Sequence, residues 1–324
     1  MTQLISGREK EPIVMVCYGE PGSGKSSFAA GAHNPVFVGP ERNKELNVFK
    51  FPRVLRQGQL LGYLREIESG KHDRSNIRTV VLDAISTQEE IIREEILAKE
   101  PGKTMQTACG GFGKANEQSL KQLIEIRDGL DAIINKKEMN VIVLSHCIKN
   151  DFNDPMLMTN YDSYEIALHK GKNKDHSKVF VNWASSVLFL HWKHYATEDK
   201  KHATGIGKRV IRTECRPSHI AKNRYNFPET IEMLDDSEIL KTGQKPQTFA
   251  MVERYIDDFY QSGAKPNLNQ NNTAILMMDI KNNMNKLNDQ NLIQTISNAV
   301  LSSASNYNEL NIINNRILEI LNQQ

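Results

Sequence analysis

Nine consecutive residues, Gly19 to Ser27 in "GEPGSGKSS", have the types and spacing to grip a chain of phosphates. Gly19, Gly24, Lys25 and Ser26 fill every fixed position of the pattern G-x-x-x-x-G-K-[ST]. Glycines let the backbone through Glu20, Pro21, Gly22 and Ser23 curl so that N–H groups point inward, and the helix read over "KSSFAAGAH", which takes in Ser27, adds partial positive charge at its start. Lys25 then reaches the terminal phosphate and Ser26 offers its hydroxyl to magnesium. The implied ligands are ATP and Mg2+, although such a cradle distinguishes phosphates and leaves the base unread. The alternative is a glycine turn with an accidental lysine. A strand-like run before it and a helix-like run after it argue for the cradle.

Magnesium at such a site takes few ligands from protein and the remainder from phosphate and water. Asp83 closes the apolar run "TVVLD", where an acidic strand tip can face the phosphate loop of a neighbouring strand and serve the metal with Ser26. Capping the next helix is the other role open to Asp83. Ala84 follows it, so the carboxylate that orients water must come from elsewhere. Glu41 in "VFVGPER" is the candidate, at the tip of the second strand, a position beside the phosphate-loop strand tip in sheets that insert an extra strand; a solvated loop glutamate is the competing description. His146, with Ser145, ends a further strand at the same edge and could sense the terminal phosphate or be a structural histidine.

These residues need a sheet to hold them. "PIVMVCY", "NPVFVGP", "IRTVVLDAIS" and "NVIVLSHC" are short Val- and Ile-rich runs that suit buried parallel strands. Between them, Ile91, Ile92, Ile96 and Leu97 recur at helical spacing within 87–100. Leu120, Leu123, Ile124, Leu130, Ile133 and Ile134 mark a long amphipathic helix ending near Lys136 and Lys137, where cations suit the helix dipole. "SSVLFLHW" and "KRVIRTEC" flank a turn and add an antiparallel part. Strand and helix alternate, which indicates an α/β layer fold with crossover connections. The core ends near Gly263, and 264–324 form an asparagine-rich linker with short helices from about Thr273, Asp289 and Asn306.

With 41 basic and 39 acidic residues the net charge is only +2, so no global field points to nucleic acid. Four scattered cysteines fit a reducing, cytoplasmic compartment. The start of the chain lacks a signal-peptide core and no run of about eighteen apolar residues occurs, so a soluble protein without a membrane partner is expected. His191, His194, His202, Cys215 and His219 show metal-like spacings, yet residues 191 and 194 fall on opposite faces of a strand, and one site is not expected.

The segments "YGEPGSGKSSFAAGAHNPVFV" with Glu41, "TVVLDAIS", "GGFGKANE", "VIVLSHC" and "AKNRYNFPE", in this order, resemble the phage-type RecA-like nucleotide-binding proteins, which include single-strand annealing ATPases. The chain departs from that pattern in Ala84 after Asp83 and in "GPER" around Glu41. The resemblance implies a RecA-like P-loop NTPase domain over 1–263 with a mostly parallel sheet and a small helical C-terminal tail. It implies a homo-oligomer with ATP between subunits, in which Lys222 and Arg224 reach a neighbour's γ-phosphate.

In proteins of that kind the loop after the fourth strand contacts single-stranded DNA. The equivalent loop here, from Ile148 to Ala184, carries Lys170, Lys172, Lys174 and Lys178 beside Tyr161, Tyr164 and Trp183. From Ile166 to Tyr225 there are 13 basic residues against 4 acidic ones. The glycine loop with Gly110, Gly111, Gly113 and Lys114 corresponds in position to a second DNA-facing loop of such proteins, and a flexible linker into the long helix is the equal alternative. The function implied is a magnesium-dependent, DNA-stimulated ATPase acting in phage-type annealing or strand exchange, in the host cytoplasm. The rivals are a nucleotide-gated loader that recruits a single-strand-binding or other replication protein through the tail, and a small-molecule P-loop kinase, for which "KNKDHSK" would be a lid without arginine.

Overall fold

The computed structural model describes residues 8–154, 159–171, 174–196, 203–235, 244–262, 280–281, 283–284, 287, 290–302 and 307–321. Lys10–Phe259 forms one compact unit, and a second unit draws on the chain beyond Phe259.

The larger unit is an α/β fold on a mostly parallel sheet. Its strands are β1 (Val14–Gly19), β2 (Pro35–Val38), β3 (Phe49–Lys50), β4 (Thr79–Leu82), β5 (Asn140–Asp154), β6 (Thr159–Ile166), β7 (Ser186–Ala196), β8 (Ala203–Arg212), β9 (Lys222–Asn223) and β10 (Thr230–Glu232). The order is β10-β8-β7-β1-β5-β4-β2-β3, with β6 on β5 and β9 on β7. From β7 through β3 the neighbours in that order are parallel, and β8, β10 and the strands off the path are antiparallel. β1 is central, and Met15, Val16, Cys17 and Tyr18 are fully buried, as a strand covered on both faces requires.

The helices are α1 (Lys25–Ala30), α2 (Gln57–Glu68), α3 (Ile85–Ala98), α4 (Lys114–Lys137), α5 (Lys178–Trp183) and α6 (Thr248–Gln261). α4 buries Leu123, Ile126, Leu130 and Ile133 along one stripe, and Lys136 and Lys137 stand in its last turn. α2, absent from the pattern inferred above, buries Leu60, Leu64 and Ile67 at helical spacing. α6 sets Phe249 against Phe28 of α1, ring centroids 5.4 Å apart.

Two sequence expectations change. The second strand does not lie beside the phosphate-loop strand: β5 and β4 separate β2 from β1, and β5 separates β4 from β1. Nor is Ile148 to Ala184 one polar loop. β5 runs on to Asp154 and pairs with β6 in an antiparallel hairpin from Cys147↔Ile166 to Asp154↔Thr159, after which α5 forms. No glycine or proline interrupts Asn140–Asp154, so nothing in the backbone stops the strand at its apolar half.

In the second unit, α7 (Gln290–Ser302) and α8 (Tyr307–Leu321) begin one residue after the expected starts, while Thr273 lies outside the described residues. Ile280, Leu287, Ile296, Leu310 and Ile317 make its core. Asn283 donates to the buried Asn314 at 3.2 Å, so asparagine here also serves the interior.

Candidate active site

The loop Gly19–Ser27 leaves the tip of β1 at the carboxyl edge of the sheet. Ser23 N–H closes a turn on Glu20 O at 3.2 Å, and Gly22 and Gly24 take φ of 76° and 92°, which turns successive N–H groups toward one concavity. Ser23 Oγ is buried without a hydrogen-bond partner among the described residues. Lys25 is 8 % exposed and its Nζ donates to Gly19 O at 2.9 Å and Glu20 O at 2.8 Å. Burial pushes the Lys25 ammonium below its ordinary value, opposed by the nearby carboxylates of Asp83 and Glu41. A cation that costs this much to bury is a strong attractor for phosphate oxygens.

Asp83 is 4 % exposed and accepts from Ser26 Oγ at 2.8 Å, across the strand that separates β4 from β1. Burial raises its carboxyl above the usual range; the Ser26 hydroxyl lowers it and the Glu41 charge adds to the rise. Ser26 Oγ and Asp83 Oδ2 are a hard-oxygen pair beside the cradle, and the residues present suit a magnesium ion carrying phosphate and water as its other ligands.

Glu41 reaches this edge because the end of β2 is laced to Asp83. Asp83 N–H donates to Val38 O at 3.0 Å and Glu41 N–H to Asp83 O at 3.1 Å. Gly39 permits the approach, since a Cβ there would lie 2.1 Å from Asp83 O and its φ is +146°. Glu41 Oε1 accepts from Thr87 Oγ1 at 2.6 Å and lies 3.4 Å from His146 Nε2. His146 is opposite Gly19 in the β1–β5 ladder, and its N–H donates to Ser86 Oγ at 3.1 Å. Lys25, Ser26, Asp83, Glu41 and His146 therefore meet at one edge.

Ser86 and Thr87 were missed by sequence reasoning. The signal was present in "DAIST", because a helix starting directly after a strand-tip aspartate must place its first turn at the same edge. Arg209 was missed too, and nothing in its own segment marks it: only the pairing of β8 with β7 brings it beside Gly24.

The remaining candidates are dispersed. Lys222 Nζ donates to the carbonyls of Val181, Asn182 and Ala184 at 3.0, 2.9 and 2.6 Å, so it caps the end of α5, and burial lowers its ammonium with Arg224 adding to the effect. Arg224 is exposed. Lys170 pairs with Glu165 at 2.7 Å, Lys174 pairs with Glu117, and Lys114 and Lys178 are exposed. Lys114, Lys170, Lys174 and Lys178 all flank the exposed face of α4; Lys172 lies outside the described residues. Tyr164 stacks on Phe189 at 5.2 Å and Trp183 Nε1 donates to Asp131 at 3.1 Å, so both are packed into the domain. His219 stacks on Phe189 at 5.3 Å, its pKa lowered by burial to about 4, and no cluster of metal-binding side chains occurs among the described residues. Among these residues no helix is long and apolar enough to cross a membrane.

No curated protein matches the chain. The model of a family described as AAA domain matches residues 11–225, more than half of the sequence and the whole stretch from β1 through β9 that builds the edge around Lys25. A phosphate loop on a central parallel strand, with its serine answered by a buried strand-tip aspartate, is what that match leads one to expect, and the chain belongs to the AAA domain family of nucleotide-binding P-loop ATPases.

Proposed function

We propose that the chain hydrolyses ATP with magnesium as a homo-oligomer on single-stranded DNA, in phage-type annealing or strand exchange. The observation that carries the hydrolytic part is the convergence of Lys25 and Ser26 from the start of α1, Asp83 from the end of β4 and Glu41 from beyond the end of β2. Backbone N–H groups and Lys25 hold the phosphates, and Ser26 with Asp83 holds the metal, which when bound draws charge from the phosphate oxygens. Glu41, steadied by the Thr87 hydroxyl, orients a water in line with the γ-phosphorus. The water oxygen bonds to phosphorus as the bond to the β–γ bridging oxygen breaks, and Glu41 takes the water proton.

The DNA part is supported by the basic face along α4, where Lys114, Lys170, Lys174 and Lys178 gather, and by Phe112, 99 % exposed in the preceding glycine loop with φ of 54°. Arg224 is the exposed cation suited to a neighbouring subunit's phosphate. Steady-state ATP hydrolysis with and without single-stranded oligonucleotide tests the reading, with stimulation expected. No hydrolysis in magnesium would remove the enzyme assignment, and a rate indifferent to the strand would remove DNA.

A further inference from the structure

Arg209 stands on β8 directly opposite Trp192 on β7, so the two side chains share a face of the antiparallel ladder. Its guanidinium carbon lies 5.7 Å from the centre of the Trp192 ring, within cation–π reach. The same side chain presses on the phosphate loop: a Cβ on Gly24 would lie 2.8 Å from Arg209 Nη1 and 3.2 Å from the Met233 methyl carbon. Only 17 % of the Arg209 side chain is exposed, and its nearest carboxylate, Asp235, is 3.8 Å away and itself 81 % exposed.

That distance is beyond hydrogen-bonding length. A guanidinium offers five N–H donors, and among the described residues none of those of Arg209 meets an acceptor at hydrogen-bonding length. A largely buried arginine with no acceptor at hydrogen-bonding length among the described residues is costly, so its place against Gly24 calls for an anion. A phosphate chain gripped by Gly19–Ser27 supplies oxygens there, and the planar fork of arginine suits two of them at once. Asp83 and Glu41 mark the β4–β2 side of the loop as the end where metal and water act. Arg209 stands on the opposite side, across β7, and so meets the chain away from the hydrolysed bond.

We infer that Arg209, backed by Trp192, is a phosphate-binding residue contributed by the same subunit that supplies the P-loop. The inference rests on the nucleotide-binding reading of that loop and adds a cation to it in cis, distinct from any cation a neighbour brings.

The test is equilibrium binding of Mg·ADP and of inorganic tripolyphosphate to the full chain, read by fluorescence in a Trp183→Phe background that leaves Trp192 as the single tryptophan. Both probes should change Trp192 emission. Arg209→Ala should weaken both by on the order of tenfold or more, with Arg209→Lys between it and the parent. Circular dichroism and the unfolding midpoint identify a variant that fails to fold, in which case Arg209→Gln, of similar length and without charge, replaces it. If the parent binds both probes, Lys25→Ala loses them, and a folded Arg209 variant binds both as the parent does, the inference is wrong while the P-loop reading survives. Weakened ADP binding with unchanged tripolyphosphate binding also overturns it, because the contact would then be to the nucleoside. If the parent itself binds neither probe, the P-loop reading fails first.

Discussion

The phosphate cradle and the basic segment from Ile166 to Tyr225 both stand out in the sequence by residue type, but folding treats their charges in opposite ways. Around the cradle, Lys25 and Asp83 are buried with their pKa values displaced toward neutrality, and neither closes an ion pair with the other. In the basic segment, acids lying outside it answer the cations: Glu165 holds Lys170, Glu117 holds Lys174, Glu232 holds both Lys193 and Lys208, and Glu229 holds Arg216. A local surplus of lysine therefore overstates the field a ligand would meet, whereas two buried, frustrated charges understate how strongly a small site can act.

The sharpest way to break that contrast is Lys25→Ala. It should lower ATP turnover by at least about a hundredfold and weaken Mg·ADP, checked by steady-state hydrolysis and equilibrium binding. Glu41→Gln should lower the turnover number by roughly a hundredfold or more and leave the ATP dissociation constant within about twofold of the parent. Thr87→Val should do the same on a smaller scale, about tenfold, with Thr87→Ser restoring the rate; equal loss in both variants would reduce Thr87 to a packing role.

On the basic side the expected effects are smaller and can be ranked. Replacing the exposed Lys114 and Lys178 with Ala should lower single-strand affinity and reduce the slope of log K against log salt by about 1.4. Lys170→Ala should change that slope less than either, because Glu165 already holds its charge at 2.7 Å. Equal slopes for all three would mean that counting lysines was sufficient after all.

The smallest effect is on stability. Asp83 has a raised folded-state pKa, so the folded chain binds its proton more tightly than the unfolded chain does. Its contribution is present in full below the ordinary value of 3.8 and is lost as pH rises through the higher folded value. At neutral pH the ionised Asp83 is a cost, and Asp83→Asn should raise the stability of the nucleotide-free protein by about 1 kcal/mol. That gain should vanish near pH 3, read from unfolding midpoints at both pH values. A gain equal at both pH values would assign it to packing and not to charge.

Much of the site was legible in advance because its chemistry is tied to strand ends. The runs before Gly19, Asp83 and His146 are apolar, short and uninterrupted, and a residue following such a run stands at a sheet edge. Thr87 was legible in principle, four residues after Asp83. The hairpin of β5 and β6 was not, since its outer half is mostly polar and its few apolar side chains, such as the exposed Ile148 and Phe152, are too sparse to read as a buried face. Lys222 was read as a cation offered to a neighbour, but three carbonyls at the end of α5 receive it, and no local pattern announces a cap made from about 40 residues away.

By itself the order of residues determined that this chain has a phosphate loop between a buried strand and a helix, because glycine, lysine and serine at that spacing act through the backbone of one short segment. It also determined which strand tips are acidic. Only the tertiary structure decided which tips meet: the order β1-β5-β4-β2 passes Asp83 and Glu41 across an intervening strand to the loop, and β7-β8 lays Arg209 on its other side. Hydrophobic periodicity sets which face of a strand is buried, but the neighbour of each strand follows from packing the whole sheet at once, over separations that no local pattern records.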